Sequence, residues 1–159
     1  IGPGVVIDVS RQGEKYADYT LQVSDISAWE KTHARIPNGA IVLIRSGWGK
    51  FWGDRKRYFG TDEPGNVSDL HFPGVSKEAA AFLVGQRNVK AVGIDTPSID
   101  PGPSKDFPTH QTLGAANVAI FENVASLDLV PNKGATVYAI PMKIKGGSGA
   151  PLRIFAVLP

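Results

Sequence analysis

Apolar residues fall along this chain in two rhythms, short runs and wider-spaced faces, and the two alternate. Val5 to Val9 reads as a buried strand. Ala40 to Ile44 is near-continuous, the pattern of a strand covered on both faces. Val89 to Ile94 is another buried strand, ending at Asp95, and Val118 to Phe121 is a further apolar run with Glu122 at its end. Two helical faces lie between these runs. Ser24 is placed to cap a helix whose apolar side is Ile26, Trp29 and Ile36, with His33 on the same side, and Pro37-Asn-Gly39 stops it. Ser76 is placed to cap a second, with Val75, Ala79, Phe82 and Leu83 on one face. Ala135 to Ile144 and Leu152 to Leu158 predict a hairpin around Gly146-Gly-Ser-Gly149. The alternation predicts one α/β domain with a central mixed sheet.

Length and composition narrow the class without naming it. At 159 residues the chain suits a single domain with a real core. The absence of cysteine excludes disulfides, thiolate chemistry and cysteine-based zinc sites. A net charge of +2, with no basic run longer than Arg55-Lys56-Arg57, gives no footprint for nucleic acid. No apolar run approaches the roughly 18 residues of a membrane span. The pattern favours a soluble, cytoplasmic protein. Gly102-Pro103 and Gly146-Gly147 are turns, and neither fits a phosphate-cradling motif.

Candidate chemistry concentrates late in the chain. His110 and Glu122 lie twelve residues apart, after the turn-like segment Asp100 to Asp106. One sits at a loop or helix start and the other at a strand end, a nitrogen and an oxygen of the kind a borderline divalent metal takes. His110 as a structural histidine is the alternative. His33 and His71 show no carboxylate pattern nearby and read as a helix-face and a loop histidine. A Ser98–His110–Asp95 triad is a third arrangement, but it lacks the nucleophile elbow. The long irregular stretch from Ser46 to Gly74 needs a reason of its own. In it, Trp48 and Trp52 either line a pocket for a flat aromatic ligand or cover the edge of the sheet.

Several separated motifs resemble the metal-dependent cyclase family, which includes isatin hydrolases and bacterial kynurenine formamidases. They are Gly93-Ile-Asp-Thr-Pro-Ser-Ile-Asp100, Thr109-His110, Phe121-Glu-Asn-Val124, and Pro141 through Pro151. Val5 to Asp8, Arg45-Ser-Gly-Trp48 and Phe72-Pro-Gly74 fall in the family's order as well. The resemblance implies a swivelling β/β/α fold and a manganese or zinc hydrolase that opens lactams or cleaves formamides. It implies His110 and Glu122 as metal ligands, Trp48 as an aromatic pocket wall with Trp52 as a weaker carry-over, and a small aromatic amide or lactam as substrate. A homo-oligomer is expected.

Family members also carry His-x-Gly-Thr-His-x-Asp-x-Pro-x-His, ahead of the stretch matched here. That segment supplies most of their metal ligands, and this sequence does not contain it. Residues 1–159 are therefore expected to form a single cyclase-like domain that is N-terminally incomplete and inactive alone. The alternative is a non-catalytic module that keeps the fold.

Overall fold

In the computed structural model, which describes residues 1–159, the apolar runs become the middle of a six-stranded sheet. In chain order the strands are β1 (Gly2–Asp8), β3 (Ile41–Arg45), β5 (Ala91–Ile94), β6 (Ala119–Phe121), β7 (Lys133–Pro141) and β8 (Leu152–Val157). A separate short parallel pair joins β2 (Thr20–Leu21) to β4 (Gly74–Val75). The spatial order of the large sheet is β6-β5-β3-β1-β7-β8. Its first four strands are parallel and its last two antiparallel, so the sheet is mixed, as the alternation of runs and faces implies.

The parallel strands are the ones with unbroken apolar runs, because each must be covered on both sides. One face carries Val5, Ile7, Val42, Ile44, Val92 and Ile94 in a cluster of 19 buried residues, packed under α2 (Val23–His33), α4 (Lys77–Arg87) and α5 (Pro108–Ala115). The other face carries Val6, Ile41, Leu43 and Val137 against Phe121, Val124 and Leu127, in a smaller cluster of 8. A third group, Trp48, Tyr58 and Phe72, fills the space between the loops at one end of the sheet.

Helix ends depart from the sequence reading in instructive ways. The N-cap of α4 is Ser76, whose Oγ accepts the Ala79 N–H at 3.1 Å, as its spacing implies. Its far end closes on Asn88 in the left-handed region, at φ 49°. α2 begins earlier than Ser24 suggests: Gln22 is the cap, and its N–H donates to Asp25 Oδ2 at 2.7 Å. It also ends earlier, at His33, because Ala34 leaves helical space at φ 69°. Ile36 is thus outside the helix but still buried, its N–H held by Glu30 Oε1 at 2.9 Å. The Trp29 indole anchors α2 to the sheet by donating to the Val6 carbonyl at 2.8 Å. The Ser46 to Gly74 stretch is not wholly irregular. It holds a 3-10 turn (Trp48–Phe51), the short helix α3 (Arg55–Phe59) and the start of β4. A further short helix, α1 (Ser10–Lys15), lies after β1 in a segment whose polar sequence gives no apolar face. No helix is long and apolar enough to cross a membrane.

Candidate metal centre and adjoining cleft

Three segments converge at the carboxyl ends of β5 and β6. Parallel strands leave their loops at this edge, where α/β sheets place their sites. β5 runs out through Asp95 into the Thr96–Asp100 loop, β6 ends at Phe121 with Glu122 next, and α5 brings His110 as its third residue. His110 and Glu122 are thereby brought together: His110 Nε2 lies 3.2 Å from Glu122 Oε1. Both side chains are about one-third exposed, at 38% and 31%. The other imidazole nitrogen, Nδ1, faces Asp100 Oδ2 at 2.7 Å, and Asp100 is 1% exposed. Glu122 Oε1 also accepts the Ile99 backbone N–H at 3.1 Å.

The loop that supplies Ile99 and Asp100 is held close to β4. A Cβ on Gly74 would sit 2.3 Å from the Pro101 nitrogen, so only glycine lets the two backbones pass. The Thr109 hydroxyl donates to the Val75 carbonyl at 2.6 Å and ties the start of α5 to the same strand.

Asp95, one of the triad candidates, is committed elsewhere. Its Oδ1 accepts from the Ser46 N–H and hydroxyl at 2.9 and 2.6 Å, and its Oδ2 accepts the Trp48 N–H at 3.1 Å. It ties the turn after β3 to the end of β5. The carboxylate on His110 is Asp100 instead, so the Ser98–His110–Asp95 triad is not assembled.

Beside this centre is a cleft of about 610 Å³, lined in part by Lys50, Trp52, Tyr58, Asp95 and Asn123. His110 and Glu122 do not line it; Asn123, which follows Glu122 in the chain, does. Asn123 adopts φ 56°, and its Oδ1 accepts the Tyr58 hydroxyl at 2.8 Å. Burial raises the Tyr58 pKa well above the usual phenol range, and the negative charges of Asp95 and Glu122 push the same way. Tyr58 therefore stays a protonated donor.

The two tryptophans part company. Trp48 is buried, its indole N–H donates to the Tyr58 carbonyl at 2.9 Å, and its ring packs with Tyr58 and Phe72. That arrangement favours the packing alternative for Trp48. Trp52 is 67% exposed, meets Tyr58 edge-on at 5.4 Å and forms part of the cleft wall. Of the remaining histidines, His33 stacks on Trp29 at 4.8 Å, on the helix face expected for it. His71 does have a carboxylate, Asp18 Oδ2 at 2.8 Å, from a segment 53 residues away that no local pattern connects to it. Sequence reasoning missed Asp100 as the partner of His110 and Tyr58 as the partner of Asn123. In the sequence Asp100 ends a family-like motif and opens a turn, and neither links it to His110.

The arrangement and its motifs agree with what this chain is similar to. The family model described as a putative cyclase matches residues 1–101. An isatin hydrolase from Roseibium aggregatum is 34% identical over 163 residues, covering all of this chain and 60% of the relative. A kynurenine formamidase from Polaromonas naphthalenivorans is 36% identical over 75 residues, which is 47% of this chain and 33% of the relative. Among solved structures, isatin hydrolase A from Ralstonia solanacearum superposes with a TM-score of 0.91 at 38% identity, covering 99% of this chain and 60% of that one. The chain thus spans about 60% of the length of the isatin hydrolases it matches. The swivelling β/β/α fold expected from the motifs is the fold observed. By its matched model, its fold and its motifs, the chain belongs to the cyclase family.

Proposed function

We propose that this chain carries part of the active site of a metal-dependent hydrolase that opens cyclic amides such as isatin or cleaves aryl formamides such as N-formylkynurenine. The observation that carries the proposal is the His110–Glu122 pair. Its nitrogen and oxygen stand 3.2 Å apart at the carboxyl edge of the sheet, with a buried carboxylate behind the imidazole. The isatin hydrolase and kynurenine formamidase relatives supply the reaction class.

The donor chemistry fits a divalent ion. Neutral imidazole and carboxylate suit manganese or zinc. The donor number falls short: no group of three or more His, Cys, Asp or Glu side chains is placed to hold an ion, against the three or four protein ligands of a typical zinc site. The other ligands are therefore assigned to polypeptide outside these residues, which then form the larger part of a single cyclase-like domain. A divalent ion held there would polarise an amide carbonyl and activate water at neutral pH. Within this chain, His110 Nε2 and Glu122 would hold the ion. Tyr58 fixes the Asn123 carboxamide so that its amino group is left for a substrate in the cleft, and Trp52 offers a ring face to an aromatic substrate.

The short ligand count also favours a second reading, a module that keeps the fold without the chemistry. One set of assays separates the two. After dialysis the chain is expected to retain well under one equivalent of metal, and it should not turn over isatin or N-formylkynurenine with manganese or zinc. A polypeptide extended upstream with the histidine-rich motif should do so, with His110→Ala abolishing turnover and His33→Ala leaving it nearly unchanged. Chelator-sensitive turnover by the chain alone would contradict the ligand count. An inert extended polypeptide would leave the non-catalytic module standing.

A further inference from the structure

Asp100 is more deeply buried than Asp95, the other buried carboxylate at this edge of the sheet. It is 1% exposed, and every bond it makes goes to the first turn of α5. Its Oδ1 accepts the Thr109 N–H at 2.9 Å. Its Oδ2 accepts the His110 N–H at 3.0 Å and faces His110 Nδ1 at 2.7 Å. The backbone bonds satisfy two of the amides that a helix leaves unpaired at its start. The ring bond has a different consequence. A neutral imidazole carries one proton, and a nitrogen that donates to a carboxylate leaves its twin with a free lone pair.

We infer that Asp100 is a positioning residue: it holds His110 in the Nδ1–H form and aims the Nε2 lone pair at the side where Glu122 stands. The inference rests on the metal-centre reading above and deepens it. Two carboxylates compete for the ring proton, and the geometry decides between them. Asp100 is closer, at 2.7 Å against 3.2 Å. It is also dry, while Glu122 is 31% exposed and shares its near oxygen with the Ile99 N–H. A charge-assisted hydrogen bond is strongest where water does not compete. Asp100 and Ile99 are consecutive, so one short loop orients both candidate ligands, Asp100 through a side chain and Ile99 through the backbone. Ligating histidines commonly have such a carboxylate behind them, and losing it typically weakens metal binding 10- to 100-fold.

The test is long-range proton–nitrogen NMR on the 15N-labelled chain, read at His110 at a pH where the ring is neutral. The expected result is Nδ1–H in the wild type and in Glu122→Gln, with a switch towards Nε2–H in Asp100→Ala. A merely structural role for Asp100 would not move that signature. Circular dichroism shows whether Asp100→Ala has folded; if it has not, the wild type and Glu122→Gln still decide. An Nε2–H ring in the wild type, or an unchanged ring in folded Asp100→Ala, overturns the inference. Zn2+ added to the polypeptide extended upstream with the histidine-rich motif, where the ligand set is complete on the reading above, separates this from the function it serves. An Nε2–H ring that responds to Zn2+ overturns the role of Asp100 alone. An Nδ1–H ring indifferent to Zn2+ overturns the metal reading, and with it the purpose assigned to Asp100.

Discussion

Trp48 and Trp52 are four residues apart, and their surroundings assign them different work. Trp48 is inside, with its N–H satisfied and its ring against Tyr58 and Phe72. Trp48→Ala should cost roughly 3 kcal/mol, as large-to-small changes at buried aromatics do. That is a fall of roughly 6–12 °C in melting temperature for a chain of this size. Trp52 has little to lose on the folding side, and Trp52→Ala should stay within about 0.5 kcal/mol. It should instead weaken the binding of an aromatic amide in the cleft. Thermal melts of the two variants check this, and a larger drop for Trp52→Ala would refute it. A residue list shows two indoles in one loop. It does not show which one meets a carbonyl ten residues on and which meets water. The same limit applies at the candidate metal centre. His110 and Glu122 are legible because their side chains are chemically distinctive and each ends or begins an element. The role of Asp100 is not: it ends a family-like motif and opens a Pro-Gly-Pro turn, and only the fold, by bringing α5 back onto it, gives it His110 as a partner.

At the level of elements, the buried strands were the most legible part. β3 and β5 announce themselves because burial on both faces removes the polar alternation. The hairpin of β7 and β8 was legible from its glycine-rich turn. The short pieces α1 and α3 were not, since five or six residues do not complete an apolar face. The inward return of Ile36 depends on Glu30, which only the packing of α2 on α4 explains. Glu30 faces Arg87 of α4 through two bonds, Nε to Oε1 at 2.6 Å and a guanidinium amino group to Oε2 at 2.7 Å. The two side chains are 15% and 10% exposed. The Arg87 hydrogen bonds hold the Glu30 carboxyl below its usual range, against the opposing effect of burial. A carboxyl lowered by folding adds stability above its unfolded pKa, and that stability disappears as pH falls through the lowered folded value. Glu30→Gln should therefore cost roughly 2 kcal/mol at pH 7, between the value of an exposed ion pair and that of a fully buried one. The gap between wild type and variant should close in acid, below the ordinary range of a glutamate. Urea unfolding at pH 7 and near pH 3 measures both. An equal gap at the two pH values would mean that Glu30 works through packing and not through its charge.

At the scale of the whole molecule, the sheet is covered unevenly. Helices close one face of the parallel half, and the segment from Val124 to Val130 closes part of the other. The β7–β8 hairpin extends past that cover. Its inward positions, Val137, Ala139, Leu152, Ile154 and Ala156, belong to the smaller core. Strand alternation then puts Tyr138, Ile140, Phe155 and Val157 on the opposite side. There Tyr138 and Phe155 stack at 4.9 Å, while Ile140, Phe155 and Val157 are about half exposed. β8 is also the last strand of the sheet, so one row of its backbone amides and carbonyls has no strand beside it. An apolar patch bordered by an unpaired edge is a template for association, and a second copy of this chain fits it by symmetry. Two β8 strands related by a two-fold axis would pair antiparallel and close both β8 edges, leaving only the β6 edge of each sheet unpaired. The isolated chain is expected to self-associate with rising concentration in sedimentation velocity. Phe155→Asp with Val157→Lys should return it to monomer, with a loss of stability of about 1 kcal/mol from the broken Tyr138–Phe155 stack. A wild-type chain that stays monomeric across the micromolar range would remove the hairpin as an interface. A double variant that still associates would move the interface to another surface.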